Sequence, residues 1–282
     1  MNATANISTN SATTAATITT AGSAAATVAA IPVHRSNPFE AHGIDHISVS
    51  QLNLWAAAPG VWVMERLLGL KAPVGAAAHR GTAVEAGVIA GLMGASLAEA
   101  IDIANAVFTE RTALSSDPRR DKERDALAGM VEQGVALLAP WGRPDRTQVR
   151  KEWRMDGIMV PVLGFSDAEY DAHGLIVDLK TSHALPSAIR TSHARQVASY
   201  LGVGANLGGG VAYVTAKKSA LYQLENAAAH VAALTRMAAS LQNFLSLSAD
   251  ARELASLITV DTDSYYLADP RARQHAFETF GV

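Results

Sequence analysis

From Ser48 onward, apolar and polar residues follow one another at helical spacing, in blocks that end on clear stop signals. Ser48 and Gln51 have capping-box spacing ahead of Leu52, Leu54 and Trp55, which predicts a short helix ended by Pro59-Gly60. Val61 to Leu70 reads as a second short helix, with a turn over Lys71 to Gly75. A longer helix is predicted from about Ala77 to Met93. Ser96 and Glu99 repeat the capping box and open another through about Leu114. Asp117-Pro118 sets a capping residue before a proline suited to the first helical position, and the helix it starts should reach about Leu138.

Beyond Pro140-Trp141-Gly142 the period shifts towards that of strands. Gln148 to Met155 and Ile158 to Ser166 flank Asp156-Gly157, a strong two-residue hairpin signal. The apolar run Leu175 to Leu179, after His173-Gly174, predicts a buried third strand. A helix from about Ser192 to Leu201 follows, then strands over Val211 to Thr215 and Ala220 to Leu224. Ala227 to Leu247 reads as a long helix, and short helices close the chain. No internal repeat is present. Helices, then β-β-β-α-β-β, then helices predict an α/β or α+β core inside a helical surround.

Composition narrows this picture. The 282 residues include no cysteine, which removes disulfides, thiolate zinc sites, Cys-ligated iron–sulfur clusters and cysteine nucleophiles together. Any metal must be held by oxygen or imidazole. A net charge of −3 excludes a polybasic coat for nucleic acid and leaves room for a local basic groove. Residues 1 to 30 contain 11 Ala, 8 Thr and 3 Ser without one charge, which fits neither a secretory signal nor a mitochondrial presequence. Residues 1–40 are expected to be a disordered low-complexity tail. Residues 41–282 are expected to be a single domain: a helical part over about 46–140, an α/β core over about 146–225 and C-terminal helices over about 226–282. The longest uncharged run, Gln196 to Ala216, is broken by glycines and polar residues, so no membrane span is written in it. A cytoplasmic protein is the expectation.

The chemistry gathers in Gly164-Phe165-Ser166-Asp167 and Val177-Asp178-Leu179-Lys180. Strand alternation puts Asp178 and Lys180 on one face, and a reversal over Asp171 to Gly174 lays Asp167's strand beside theirs. Two carboxylates and an ammonium then converge. Carboxylates suit hard cations such as Mg²⁺, and a metal with a nearby lysine can activate water and stabilise a phosphoryl group under attack.

At these residues the sequence resembles the PD-(D/E)XK nuclease superfamily, particularly its RecB-type branch, over roughly residues 46 to 216. Ile47-Ser48-Val49-Ser50-Gln51-Leu52 is similar to the branch's Ser-x-Ser helix start, and Gly81-Thr82-Ala83-Val84-Glu85 to its Gly-x-x-x-His helix with Glu85 in the histidine's place. Gly164 with Asp167 matches Gly-x-x-Asp, Asp178 with Lys180 matches Asp-x-Lys, and Gln196 with Tyr200 matches Gln-x-x-x-Tyr. The five elements stand in the family's order. Ser166-Asp167 departs from the usual Pro-Asp, and the iron–sulfur cysteines of some relatives are missing.

The resemblance implies a restriction-endonuclease-like core, a central mixed β-sheet flanked by helices, with an N-terminal helical segment. It implies a metal-dependent DNA nuclease, an exonuclease of recombination, repair or phage DNA processing, using Mg²⁺ or Mn²⁺. The alternative is a catalytically inactive nuclease-fold protein that binds DNA or a partner. Glu85, Asp167 and Asp178 are the implied metal ligands, and Lys180 completes the catalytic set. Gln196 and Tyr200, one turn apart on one helix face, would position DNA or the lysine.

Lys180, Arg190, Arg195, Lys217 and Lys218 lie between Leu179 and Leu224 with no acidic residue among them, which favours phosphate contacts and marks Arg190 and Arg195 as DNA-binding candidates. The mixed charges of Arg119 to Asp125 read as a solvent-exposed helix. His42 and His46 have ligand-like spacing without an identifiable third ligand, so zinc is not expected. Protein partners and homo-oligomers are not specified by these residues.

Overall fold

A computed structural model describes residues 36–202 and 207–282. Residues 36–282 form one compact unit. The tail as far as Arg35 lies outside the described residues, as do Gly204 and Asn206 of the uncharged run. The described part begins earlier than position 41. Asn37 caps a short helix α1 (Pro38–Ala41), and Phe39 is fully buried, because this aromatic has a core to join.

A two-residue strand β1 (Ile47–Ser48) leads into α2 (Val49–Ala57), whose N-terminus Ser48 caps by accepting from Gln51 N. α3 (Pro59–Arg66), α4 (Ala76–Leu92) and α5 (Leu97–Arg111) follow, the last opened by the full Ser96–Glu99 capping box. The helix expected after Asp117 is two pieces, α6 (Arg120–Asp125) and α7 (Leu127–Leu138), separated at Ala126. Then come β2 (Arg146–Trp153), β3 (Val162–Tyr170), β4 (Leu175–Thr181), α8 (Thr191–Leu201), β5 (Gly208–Val214) and β6 (Ser219–Gln223). α9 (Ala227–Leu245), α10 (Ala251–Ser256) and α11 (Pro270–Phe280) complete the chain.

The six strands form one mixed sheet in the order β1-β3-β4-β5-β6, with β2 on β3. β4 and β5 are parallel and joined through α8; β3 is antiparallel to β2 and β4. This is the restriction-endonuclease-like arrangement the motifs imply. The tight hairpin at Asp156-Gly157 is not formed. β2 ends at Trp153 and β3 begins at Val162, so an eight-residue connection carries Gly157 at φ +76° as an internal turn. Met155 and Val160 are buried there, and burying them outweighs the two-residue turn. The reversal at Asp171 to Gly174 is short, with Gly174 left-handed at φ 55°.

Helices cover both faces. Leu175, Val177 and Leu179 of β4 point into a core with Val84 and Val88 of α4, Phe108 of α5 and Met130 and Val131 of α7. On the other side Val197 of α8 packs on Val211 and Tyr213 of β5. Leu52 of α2 joins Leu234 and Leu241 of α9 in a second large cluster. No helix among the described residues is long and apolar enough to cross a membrane.

Candidate active site

The site grows from a fork in the sheet. β3 pairs with β4 only over Ala168 to Tyr170, and β1 takes Val162 and Leu163. β2 occupies the other edge of β3 along its length. On the edge of β3 between β1 and β4, the stretch Gly164 to Asp167 has no ladder partner. Asp167 closes the gap with its side chain: Oδ2 accepts from Leu179 N at 2.6 Å. Gly164 faces α8, where a β-carbon would come within 2.9 Å of the Tyr200 ring.

Asp178 is fully buried on β4. Its Oδ1 accepts from Tyr200 Oη at 3.4 Å, and Tyr200 in turn accepts from Gln196 Nε2 at 2.7 Å. Lys180 Nζ lies 2.6 Å from Asp178 Oδ2, so this buried oxygen is held by the ammonium in a short ion pair. Glu85 arrives from α4, and Gln148 of β2 donates to both Glu85 and Asp167.

Burial, then the charges of Asp178 and Glu85, push the Asp167 carboxyl well above its usual range. Burial likewise raises Asp178 and Glu85, against the pull of Lys180 on both. Burial disfavours the ammonium of Lys180, but the charges of Asp178 and Asp167 outweigh it and keep the lysine protonated. Behind it, Tyr213 stands opposite Lys180 on β5 and bonds His193 Nδ1 at 2.7 Å. Burial, with the charges of Lys180 and Arg190, lowers His193 to about 4, so its imidazole is neutral.

Glu85, Asp167, Asp178 and Lys180 are therefore neighbours. The DNA-contact assignments fare unevenly. Tyr200 is 1% exposed and cannot reach a DNA backbone; it supports Asp178 instead, because α8 packs flat on the sheet there. Gln196 is half-buried and spends its amide on Tyr200. Arg195 donates to Asn53 Oδ1 at 3.0 Å and ties α8 to α2, while Arg190 is exposed. His42 donates to the Ser248 carbonyl and His46 pairs with Asp45, so the two rings have separate partners.

Three carboxylates around one lysine, with Asp167 raised by the charges of Asp178 and Glu85 and Glu85 raised by that of Asp178, have the chemistry of a divalent cation site. Among the described residues no three His, Asp or Glu side chains are drawn closely enough to hold an ion by themselves. The reason is visible: Glu85 is turned to Gln148, Asp167 to Gln148 and Leu179, and Asp178 to Lys180. One or two carboxylates completed by water and phosphate suffice for Mg²⁺, so the residues fit such an ion.

The sequence profile of the PD-(D/E)XK nuclease superfamily matches residues 46–272. The chain belongs to this superfamily. Nucleases of the superfamily generally use divalent metal ions. Among solved structures, the nuclease is similar to a candidate exonuclease from Eubacterium rectale at 15% identity and TM-score 0.46, over 72% of this chain and 82% of that one. It is also similar to the protein SSO0001 at 19% identity and TM-score 0.33, over 57% of this chain and 75% of that one. No curated protein matches it.

Three residues of the nuclease's site region escape a motif reading. Gln148 sits at φ 50°, a left-handed conformation costly for a non-glycine, at the strand position facing Asp167. Arg80 and Glu123, 4% and 2% exposed, form a buried ion pair. Arg80 also donates to Thr181 Oγ1 at 3.2 Å and contacts His183 Nε2 at 3.0 Å, which fixes α4 and α6 to the strand end beyond Lys180. Glu123 corrects the solvent-exposed reading of its helix: the charge run hides one inward carboxylate.

The raised carboxyls make a sign-definite prediction. A carboxyl whose folded pKa exceeds its unfolded one takes up protons on folding, so the metal-free protein loses stability as pH rises from the ordinary carboxylate range through the raised values. Asp167→Asn removes part of that penalty and keeps an acceptor for Leu179 N. In EDTA at pH 8 the variant is expected to melt above the wild type, and divalent metal should raise its melting temperature less. A variant melting below the wild type in EDTA would contradict this.

Proposed function

We propose that the protein is a metal-dependent DNA nuclease of the RecB-type branch that hydrolyses phosphodiester bonds as an exonuclease in DNA recombination, repair or phage DNA processing. The observation that carries the reading is the buried Asp178, paired with a protonated Lys180 and flanked by Asp167 and Glu85. Glu85, Asp167 and Asp178 would hold Mg²⁺ or Mn²⁺, which when bound supplies Lewis-acid stabilisation of the phosphoryl oxygens and an acidified water. Lys180, held as an ammonium, presents positive charge where negative charge develops and is not a base in this state. Asp167 is anchored by the β4 backbone and Asp178 by Tyr200, so neither ligand swings freely. Of the two arginines proposed as DNA contacts, Arg190 at the start of α8 is the exposed one.

The test is incubation of purified protein with end-labelled linear and circular DNA in Mg²⁺, Mn²⁺ or EDTA. Metal-dependent release of nucleotides from linear but not circular DNA is expected. Cutting of circles would replace the exonuclease with an endonuclease. Binding without cleavage under every metal would favour the catalytically silent alternative.

A further inference from the structure

Phe165 is 51% exposed on β3, two residues from Asp167, although most of that strand is buried. Its direction follows from the register. Gly164 faces α8, so by alternation Phe165 projects to the opposite side, the side from which Glu85 and Gln148 reach Asp167. Arg150 is directly opposite Phe165 on β2 and shares its face. Arg150 is paired with Glu152 at 3.0 Å, and Arg154 also contacts Glu152 at 3.4 Å, so this rim carries two guanidiniums for one carboxylate. Arg111, at the end of α5, is close enough to Glu85 to pull its carboxyl pKa down. An aromatic face thus stands beside the carboxylates on a rim with surplus positive charge.

We infer that Phe165 is a stacking platform for a nucleobase adjacent to the phosphate being cut, and that the strand entering the site is unpaired there, as in single-stranded DNA or a frayed end. This rests on the nuclease reading for the identity of the phosphate. The chemistry is that of single-strand binders, in which aromatic rings take any base and cations track the backbone. Two residues of strand span about 6.6 Å, a distance one unstacked nucleotide bridges. A base inside a duplex has both faces covered and cannot use the ring.

The experiment measures binding in EDTA, where cleavage is not needed, using a fluorescent single-stranded oligonucleotide and the same oligonucleotide made abasic. Phe165→Ala should weaken binding to the normal strand about 5- to 150-fold, the effect of one stacked base, and leave the abasic strand unaffected. Phe165→Leu, which keeps apolar bulk and protects folding, should bind as weakly as the alanine variant. Phe165→Trp should bind like wild type, with its fluorescence quenched. Equal binding by wild type and both truncated variants, equal losses on the abasic strand, or no binding by wild type would each overturn the platform. Failure of the nuclease reading looks different: Phe165→Ala weakens binding as described, but the wild type cuts no DNA in any metal.

Discussion

Asp178→Ala is expected to abolish cleavage, and Lys180→Ala to slow it about 10²- to 10³-fold. The two differ because the groups contribute differently. Asp178 is the fully buried carboxylate of the site, so its loss should weaken metal binding, and removing negative charge beside phosphate should leave DNA affinity intact or raise it. Lys180→Ala leaves three carboxylates in place. Metal should still bind, while the transition state loses one electrostatic donor, worth about 2.7 to 4 kcal/mol. Single-turnover cleavage together with metal titration reads both effects. Each variant must melt cooperatively first, since Lys180 and Asp178 are also each other's nearest charge, 2.6 Å apart. Wild-type rates from either folded variant would remove that residue from the chemistry.

Glu123→Ala is expected to destabilise the fold by about 3 to 5 kcal/mol, the cost of leaving one member of a buried pair without its partner. Arg80 would then be buried among Thr181, His183 and apolar neighbours with its charge uncompensated. Chemical denaturation measures the loss directly. Replacing both members, Arg80→Met with Glu123→Leu, should cost less than Glu123→Ala alone, because no stranded charge remains. Burial works against the Glu123 carboxylate, but bonds from His183 and the charge of Arg80 hold its pKa below the usual value of 4.5. That contribution is complete above pH 4.5 and disappears as pH falls through the lowered value, so the difference between Glu123→Ala and wild type should shrink in acid. A double variant worse than the single one would contradict the argument.

What could be read in advance was whatever the chain writes locally. The Ser96–Glu99 capping box, the Asp171 to Gly174 reversal and the alternation around Asp178 and Lys180 are short-range patterns, and the structure carries each of them. The succession of β2 to β6 along the chain, with α8 between β4 and β5, follows from the same periodicities, whereas the two-residue β1 shows none. Phe39 was missed because four residues of helix next to a charge-free tail show no period. The eight-residue connection between β2 and β3 was missed because Asp-Gly speaks for a tight turn, while the burial of Met155 and Val160 depends on α9, some 80 residues away in the chain. Tyr200 was legible as a partner of Gln196 and not as a buried one, since helical spacing says which face and not what covers it. Gln148 and the Arg80–Glu123 pair had no signal: a glutamine in a polar strand and a glutamate in a charge run acquire meaning only when the chain folds back to partners 63 and 43 positions away.

The central claim is that carboxylates from α4, β3 and β4 form one divalent-cation site. Mn²⁺ binding to the purified protein at pH 8, followed by electron paramagnetic resonance of the free ion, tests it most directly. Wild type should take up Mn²⁺ saturably, Glu85→Ala, Asp167→Ala and Asp178→Ala should each weaken uptake, and Lys180→Ala should retain it. Uptake that is absent in wild type, or unchanged in all three carboxylate variants, would contradict the account.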